Sequence, residues 1–285
     1  WHAASVIDEA VRNCVSVGAD PARIGILDNF CWGRTDRAET LGTLVRAALG
    51  CHDTAVAFGT PFISGKDSLH NEFSYQDASG ERQTISIPGT LLISALGQIQ
   101  DARQAVTMDL KQSGNLLFQV GWTRSELGGS HALSLLGLHG CGRCPRVDFD
   151  HARELFARLH QALRNGWVRS CHDLSEGGLA VALAEMCLAG RCGADVDLSG
   201  VPTPGDNEPM DDFTLLFAES NSRFVCEVEP AHAASFSDWM GLKAARQIGS
   251  VTDSGFLGIR HGEKLVLRLS VDEIRQAWQE PLNWS

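Results

Sequence analysis

Residues 61–72 read Pro61-Phe62-Ile63-Ser64-Gly65-Lys66-Asp67-Ser68-Leu69-His70-Asn71-Glu72. A short apolar run, Pro61 to Ile63, breaks at Ser64-Gly65 into a dense polar group. Glycine at the end of an apolar strand lets a ligand approach the backbone, because no Cβ stands in the way. Lys66, Asp67 and Ser68 then supply one cation, one metal-capable oxygen and one hydroxyl donor, a set that suits a phosphate with magnesium. A polar turn following a strand accounts for the same residues.

A Walker loop is excluded by spacing. That motif needs four residues before its Gly-Lys pair, then Ser or Thr and a helix. Here five residues, Thr60 to Ser64, separate Gly59 from Gly65, Asp67 follows Lys66, and Ser68 to Gln83 is polar without helical periodicity.

Working outward, Glu39 to Phe58 has Leu41, Leu44, Val45, Ala48, Cys51, Ala55 and Val56 at helical spacing and predicts a helix delivering the chain into the Phe62 strand. Before it, Ser5 to Val17 predicts a helix ended by Gly18. Arg23 to Leu27 predicts a short strand closing on Asp28-Asn29-Phe30-Cys31-Trp32-Gly33, which reads equally as a ligand rim or an Asx-turn. Thr84 to Ile87 and Leu91 to Ile99 predict strands split by Pro88-Gly89. Composition changes near Lys111 to Asn115, and a domain boundary is expected there, giving domains 1–110 and 111–285.

Beyond it, Leu116 to Gly121, Val168 to Cys171, Phe213 to Phe217, Phe224 to Val228 and Leu265 to Leu269 predict strands. His151 to Leu163 and Leu179 to Leu188 predict helices. Strands interleaved with helices in both parts predict a two-domain α/β or α+β protein.

The totals bound the partners. In 285 residues, 24 Lys and Arg against 35 Asp and Glu leave a net charge of −11, which argues against a nucleic-acid partner. No apolar run is long enough for a membrane span. The nine cysteines are scattered, several in apolar periodic segments (Cys14, Cys51, Cys187), as expected for reduced thiols in the cytoplasm. Cys141-Gly142-Arg143-Cys144 has the spacing of half a zinc site, with no second pair to complete it. The chain opens on Trp1-His2-Ala3-Ala4 and runs almost at once into a helix, as a piece of a longer polypeptide would.

Taken in order, Glu9-Ala10-Val11-Arg12-Asn13, Asp28 to Gly33, Ser64 to Leu69, His172-Asp173-Leu174-Ser175-Glu176-Gly177-Gly178-Leu179-Ala180-Val181-Ala182-Leu183-Ala184-Glu185 and Leu216 to Arg223 strongly resemble phosphoribosylformylglycinamidine synthase of purine biosynthesis, specifically the second of its two repeated halves. The resemblance covers nearly the whole chain and extends to the superfamily of aminoimidazole ribonucleotide synthetase. It implies a partial N-terminal nucleotide-binding-type domain followed by a C-terminal α/β sandwich domain. It also implies ATP-dependent amidation, in which an amide oxygen of a phosphorylated ribotide is phosphorylated and then displaced by ammonia from a glutaminase domain or subunit. The family's catalytic histidines lie in the first half, so no catalytic residue is expected here.

By position, the resemblance assigns Asp28, Gly65 and Lys66 to ATP and Ser68 to the ribotide. Lys66 stands where many relatives have a magnesium-binding asparagine; an ammonium cannot ligate a cation, so Asp67 is the residue left to take Mg²⁺. The segment holding Ser175, Gly177 and Gly178 is either an anion-binding helix start or a capped, closely packed helix. Glu219, Ser220 and Arg223 match a substrate-binding segment of the first repeat, and a buried structural ion pair fits them as well. Strands missing before Ser5 would leave an open sheet edge, which predicts self-association or pairing with another chain, foremost the missing first half. The rival expectations are a self-sufficient ATP-dependent enzyme of the same superfamily and a non-catalytic scaffold half that holds at most a nucleotide.

Overall fold

The computed structural model describes residues 1–205, 210–241 and 243–284. Helix α1 (His2–Ser16) buries Ile7, Val11 and Val15 at helical spacing. Gly18, at φ +104°, lets the chain turn away where a side chain would be strained. Strand β1 (Gly25–Cys31) follows, then helix α2 (Ala38–Phe58), strand β2 (Phe62–Ser68), the hairpin β3 (Glu72–Gln76) and β4 (Arg82–Ser86), and strand β5 (Thr90–Leu96).

These build a three-stranded sheet of order β2-β1-β5, parallel between β1 and β2 and antiparallel between β1 and β5. Two expectations change. β1 starts later than predicted and runs on to Cys31, and β2 runs on through Gly65 to Ser68, so neither polar group forms a rim beyond a strand. The reason is mutual pairing: Asp28 is opposite Gly65 on one side and Ile93 on the other, and the ladder satisfies backbone groups that a turn would leave free. In α2 the buried side is Cys51 and Thr54, with Leu44, Ala55 and Phe58 half-buried, whereas Leu41, Val45, Ala48 and Val56 face outward.

The second sheet uses β6 (Leu116–Val120), β7 (Val168–Asp173), β8 (Gly193–Asp197), β9 (Phe224–Val228), β10 (Ala245–Thr252), β11 (Phe256–His261) and β12 (Lys264–Ser270). Its order is β12-β11-β8-β10-β6-β9-β7. Between and after the strands lie helices α3 (His131–Leu135), α4 (Phe149–Arg164), α5 (Gly178–Gly190), α6 (Asp212–Phe217), α7 (Ala233–Met240) and α8 (Val271–Gln279). Residues 213–217 are thus helical rather than extended. A five-residue apolar run carries no readable period. Asp211 decides it by capping the helix, its carboxylate accepting from the Thr214 N–H at 2.6 Å.

The core divides by sheet face. One cluster packs α1, β1 and α2 with α4, α7 and one face of the large sheet, including Phe118, Phe156, Phe224 and Phe236. The other packs α5, α6 and α8 on the opposite face, around Leu117, Leu183, Met186 and Val225. The connection at 111–115 is fixed by buried Glu227, which accepts from the Lys111 and Gln112 N–H groups, Asn115 Nδ2 and Ser170 Oγ at 2.8, 3.0, 2.6 and 2.9 Å. No described helix is long and apolar enough to cross a membrane.

Leu183 is fully buried and Leu135 is 90% exposed, so the two test the packing account. Leu183→Ala is expected to cost about 2–5 kcal/mol, read as a lower urea midpoint at unchanged slope. Leu135→Ala is expected to stay within about 0.5 kcal/mol of wild type.

Candidate functional site

The predicted nucleotide residues lie on the adjacent parallel strands β1 and β2. Along β1, Ile26 and Phe30 point into the helix-covered core, so Asp28 shares their face. Register puts Gly65 and Asp67 on that same face and Lys66 and Ser68 on the uncovered one, beside Asn29 and Cys31. The sheet therefore divides the predicted set in two.

A Cβ on Gly65 would overlap the Asp28 carboxylate, so the chain's own aspartate, rather than a ligand, requires this glycine. Burial raises the Asp28 pKa; the Lys66 backbone N–H it accepts opposes the rise, and the charge of Asp67 adds to it. Burial, then the Asp28 charge, likewise pushes the Cys51 thiol of α2 up to about 11. Lys66 and Asp67 are exposed, and among the described residues neither makes an ion pair. Lys66 donates to Ser68 Oγ. Cys141 and Cys144 lie exposed in a loop, and no group of three or more His, Cys, Asp or Glu among the described residues is arranged for a metal ion.

The His172–Gly178 segment forms a second constellation. β7 ends at Asp173 and α5 begins at Gly178. Arg12, buried on α1, pairs with Asp8, donates from Nε to Asp173 at 3.2 Å and from Nη2 to Ser175 Oγ at 3.0 Å. Ser175 Oγ in turn donates to Asp173 at 2.5 Å. His172 Nε2 lies 2.9 Å from Glu185 and its Nδ1 3.4 Å from Asp173. Burial disfavours the imidazolium, but the hydrogen bonds to Asp173 and Glu185 outweigh it and push the pKa up to about 9. Burial likewise works against the Asp173 charge, yet His172 and Arg12 hold its pKa well below the ordinary range.

At Ser175, Gly177 and Gly178, read as either an anion-binding helix start or a capped, closely packed helix, a carboxylate of the chain itself bonds the backbone. Glu219 Oε1 accepts from the Gly177 N–H at 2.9 Å and from the His131 N–H at 3.0 Å. The Gly178 N–H bonds to Ser175 O, and a Cβ on Gly178 would sit 2.5 Å from Ala218 O, so close chain packing accounts for that glycine. Arg223 is fully buried and makes no ion pair among the described residues: it donates to Ser220 O, Thr123 Oγ1 and Ala218 O at 2.8, 3.0 and 2.5 Å. Its hydrogen bonds are to neutral oxygens, so of the two readings of Glu219, Ser220 and Arg223 the buried ion pair is not what these residues form. No role for Asp8, Glu185 or Glu227 is read from the sequence; the signal for Asp8 is its place with Arg12 in a polar stripe at i, i+4 beside an apolar one on α1.

Beside this network a cleft of about 710 Å³ opens between α1, α3, α5 and α6. Its floor includes His172, Asp173 and Ser175.

The family described as AIR synthase related protein, C-terminal domain, matches residues 112–262. The chain belongs to this family. Phosphoribosylformylglycinamidine synthase subunit PurL of Thermococcus sibiricus is 34% identical over 230 residues, 80% of this chain and 30% of that protein. Among solved structures, Thermotoga maritima PurL complexed with FGAR superposes with a TM-score of 0.71 at 18% identity, covering 95% of this chain and 42% of that one. Its complex with ATP gives 0.67 at 17% identity, covering 95% and 40%. Escherichia coli HypE gives 0.65 at 16% identity, covering 94% and 78%. The chain thus spans under half the length of the PurL proteins it matches. In this AIR synthase-related chain the matched region holds six of the seven strands of the large sheet, all but β12, and the β1–β2 pair lies outside it.

His172 titrates near 9 in the folded chain against an ordinary 6.5, so its contribution to stability is complete below pH 6.5 and is lost as the pH rises towards 9. The gap in melting temperature between wild type and His172→Gln is expected to narrow across that window. A gap that holds constant there would show that the imidazolium is not the stabilising form.

Proposed function

We propose that this chain is the second half of an ATP-dependent amidating enzyme of the phosphoribosylformylglycinamidine synthase type, acting in purine biosynthesis in the cytoplasm. Its strands β1 and β2 form one side of a composite active site that a homologous first half completes. The observation that carries the reading is Lys66: an exposed cation without an ion-pair partner among the described residues, on the uncovered face of a half-built sheet. The identity to a PurL subunit over 80% of this chain, at 30% of that protein's length, supports the half-enzyme form.

In this reading Lys66 and Ser68 bind phosphate oxygens, of the nucleotide and of the ribotide respectively. Asp28 and Asp67 share a face, and the charge of Asp67 adds to the rise in the Asp28 pKa, so a divalent cation there would relieve like-charge repulsion. Two carboxylates with phosphate oxygens are a usual magnesium set. Because β2 is the edge strand of its sheet, a triphosphate along that edge has Lys66 and Ser68 on one face and Asp67 on the other. ATP supplies the phosphoryl group that makes the amide oxygen a leaving group; the residues here position it and neutralise its charge. Ammonia comes from a glutaminase partner.

The uncovered sheet face carries Ile63, Leu92 and Leu96, and the β3–β4 hairpin exposes stacked Phe73 and Tyr75. A hairpin of two strands is marginal alone, which favours burial against the sheet of a partner half or of a second copy.

Purified alone, the chain is expected to lack amidating activity with ATP, ammonia and formylglycinamide ribotide, and to gain it when a homologous first half is co-expressed. Turnover by the isolated chain at ordinary enzyme rates would point instead to a self-sufficient enzyme. Calorimetry with Mg-ATP on the assembled protein should show Lys66→Ala weakening binding by about tenfold, roughly 1.4 kcal/mol for a charge-assisted hydrogen bond. No binding in wild type or variant would leave only a scaffold role.

A further inference from the structure

Cys141 and Cys144 are not absorbed by the proposed reaction. Of the nine cysteines they alone are exposed; the others are buried or half-buried. Both stand in the loop that joins α3 to α4, with Gly142 and Arg143 between them. Residues 134–144 are exposed throughout, yet the far limb of the loop is anchored. The Gly128 N–H donates to Arg143 O at 2.8 Å. A Cβ on Gly128 would lie 2.7 Å from the Cys144 nitrogen, and one on Gly142 would lie 2.9 Å from the Gly128 nitrogen. Two glycines therefore let the backbones meet directly beneath the cysteine pair. The chain bends at Gly142, whose φ of +77° is the left-handed value that the second position of the tightest four-residue turns requires. A turn of that kind holds its first and last Cα atoms within about 7 Å, the span a disulfide bridges. The local charge is also distinct. Arg143 makes no ion pair among the described residues, and residues 127–147 contain no Asp or Glu in a chain of net charge −11.

We propose that Cys141 and Cys144 form a reversible dithiol–disulfide site whose co-reactant is a small anionic disulfide of the glutathione class. One cysteine thiolate attacks a sulfur of the small disulfide, breaking its S–S bond; a mixed disulfide forms and one small thiol leaves. The second cysteine thiolate then attacks the protein sulfur of that mixed disulfide, which closes the Cys141–Cys144 bond and expels the second small thiol. The two electrons and two protons lost by the protein leave on the two small thiols, and excess small thiol reverses both steps. Arg143, between the two sulfurs in the chain, draws in the carboxylates of the co-reactant. A metal ion is less well served. Two thiolates are half of a tetrahedral set, and the described residues offer no group of three ligands, whereas a disulfide needs only the pair. Where other thiols stay reduced, an exposed pair of this kind opens and closes with the redox balance around it. The inference stands on this loop alone and does not depend on the nucleotide reading of β2.

The test equilibrates the full chain with mixtures of glutathione and glutathione disulfide, quenches with acid, alkylates free thiols and digests with trypsin. Trypsin cuts after Arg143, so only a Cys141–Cys144 bond keeps the peptide ending at Arg143 joined to the one starting at Cys144. Mass spectrometry is expected to find the joined pair, and to lose it on reduction. In Cys141→Ser or Cys144→Ser it should be replaced by a mixed glutathione disulfide on the remaining cysteine. Half-oxidation of the chain is expected at a glutathione balance about tenfold more reducing than a synthetic peptide of residues 138–147 needs, because the anchored limb has already lost freedom that the peptide must give up. Arg143→Gln is expected to slow thiol loss to glutathione disulfide about threefold, as one exposed charge would, and to leave the rate with uncharged hydroxyethyl disulfide unchanged. All three positions are exposed, so unchanged melting temperatures are expected to confirm folding. The proposal is overturned if wild type carries only mixed disulfides, or if the joined pair forms no more readily than in the synthetic peptide. It is overturned equally if Arg143→Gln leaves the glutathione rate unchanged or slows both reagents alike.

Discussion

A buried guanidinium joins the helix that covers the three-stranded sheet to the seven-stranded sheet. Arg12 belongs to the helix that covers the three-stranded sheet, yet its partners are Asp8 on the same helix and Asp173 at the end of a strand of the large sheet. All three are buried, and a buried charge is tolerated only when paired and hydrogen-bonded. Asp8 also accepts from the Ser222 backbone N–H at 3.0 Å and from its hydroxyl, so the network closes on a second strand connection. Losing one member would strand the others, a cost of about 3–5 kcal/mol in comparable cases. This explains why α1 packs in one cluster with the phenylalanines of the large sheet rather than with its own strands alone.

The same economy shapes the start of α5. Helix N-termini attract anions, and here the anion is Glu219, reaching from the segment before β9 to bond the Gly177 and His131 N–H groups together. The glycine-rich turn is therefore a packing device: Gly177 and Gly178 sit at φ +77° and +62°, and Gly178 lies against the Ala218 carbonyl. What remains open at this end of the molecule is the cleft between α1, α3, α5 and α6, lined by Glu9 and Glu176 as well as by network members His172, Asp173 and Ser175.

At the other end, the sheet β2-β1-β5 is covered on one face only. The bare face carries Ile63, Leu92 and Leu96, and the hairpin beside it exposes Phe73 and Tyr75. Lys66 belongs to that surface and makes no ion pair among the described residues.

Much of this was legible in the residues. The helices at α1, α2, α4 and α5 follow from apolar spacing and β6, β9 and β12 from short apolar runs, although Leu41, Val45, Ala48 and Val56 of the α2 stripe face outward. The order of motifs from Glu9 to Arg223 carried the family. Reading failed at Phe213 to Phe217, where a five-residue apolar run has no period and the local cap Asp211 makes it helical. It failed too at the ends of β1 and β2, where Asp28 and Gly65 pair across residues distant in the chain, and the close approach of the Asp28 carboxylate to Gly65 is not visible in either segment alone.

The sequence by itself thus determined most element types, which depend on neighbours a few residues apart, together with the net charge and the kinship. Only the tertiary structure decided that Lys66 and Asp67 face opposite ways, that Glu219 fills the α5 start, and that Arg12 joins α1 to the seven-stranded sheet. Each of these rests on contacts between residues tens to hundreds of positions apart, which no local pattern encodes.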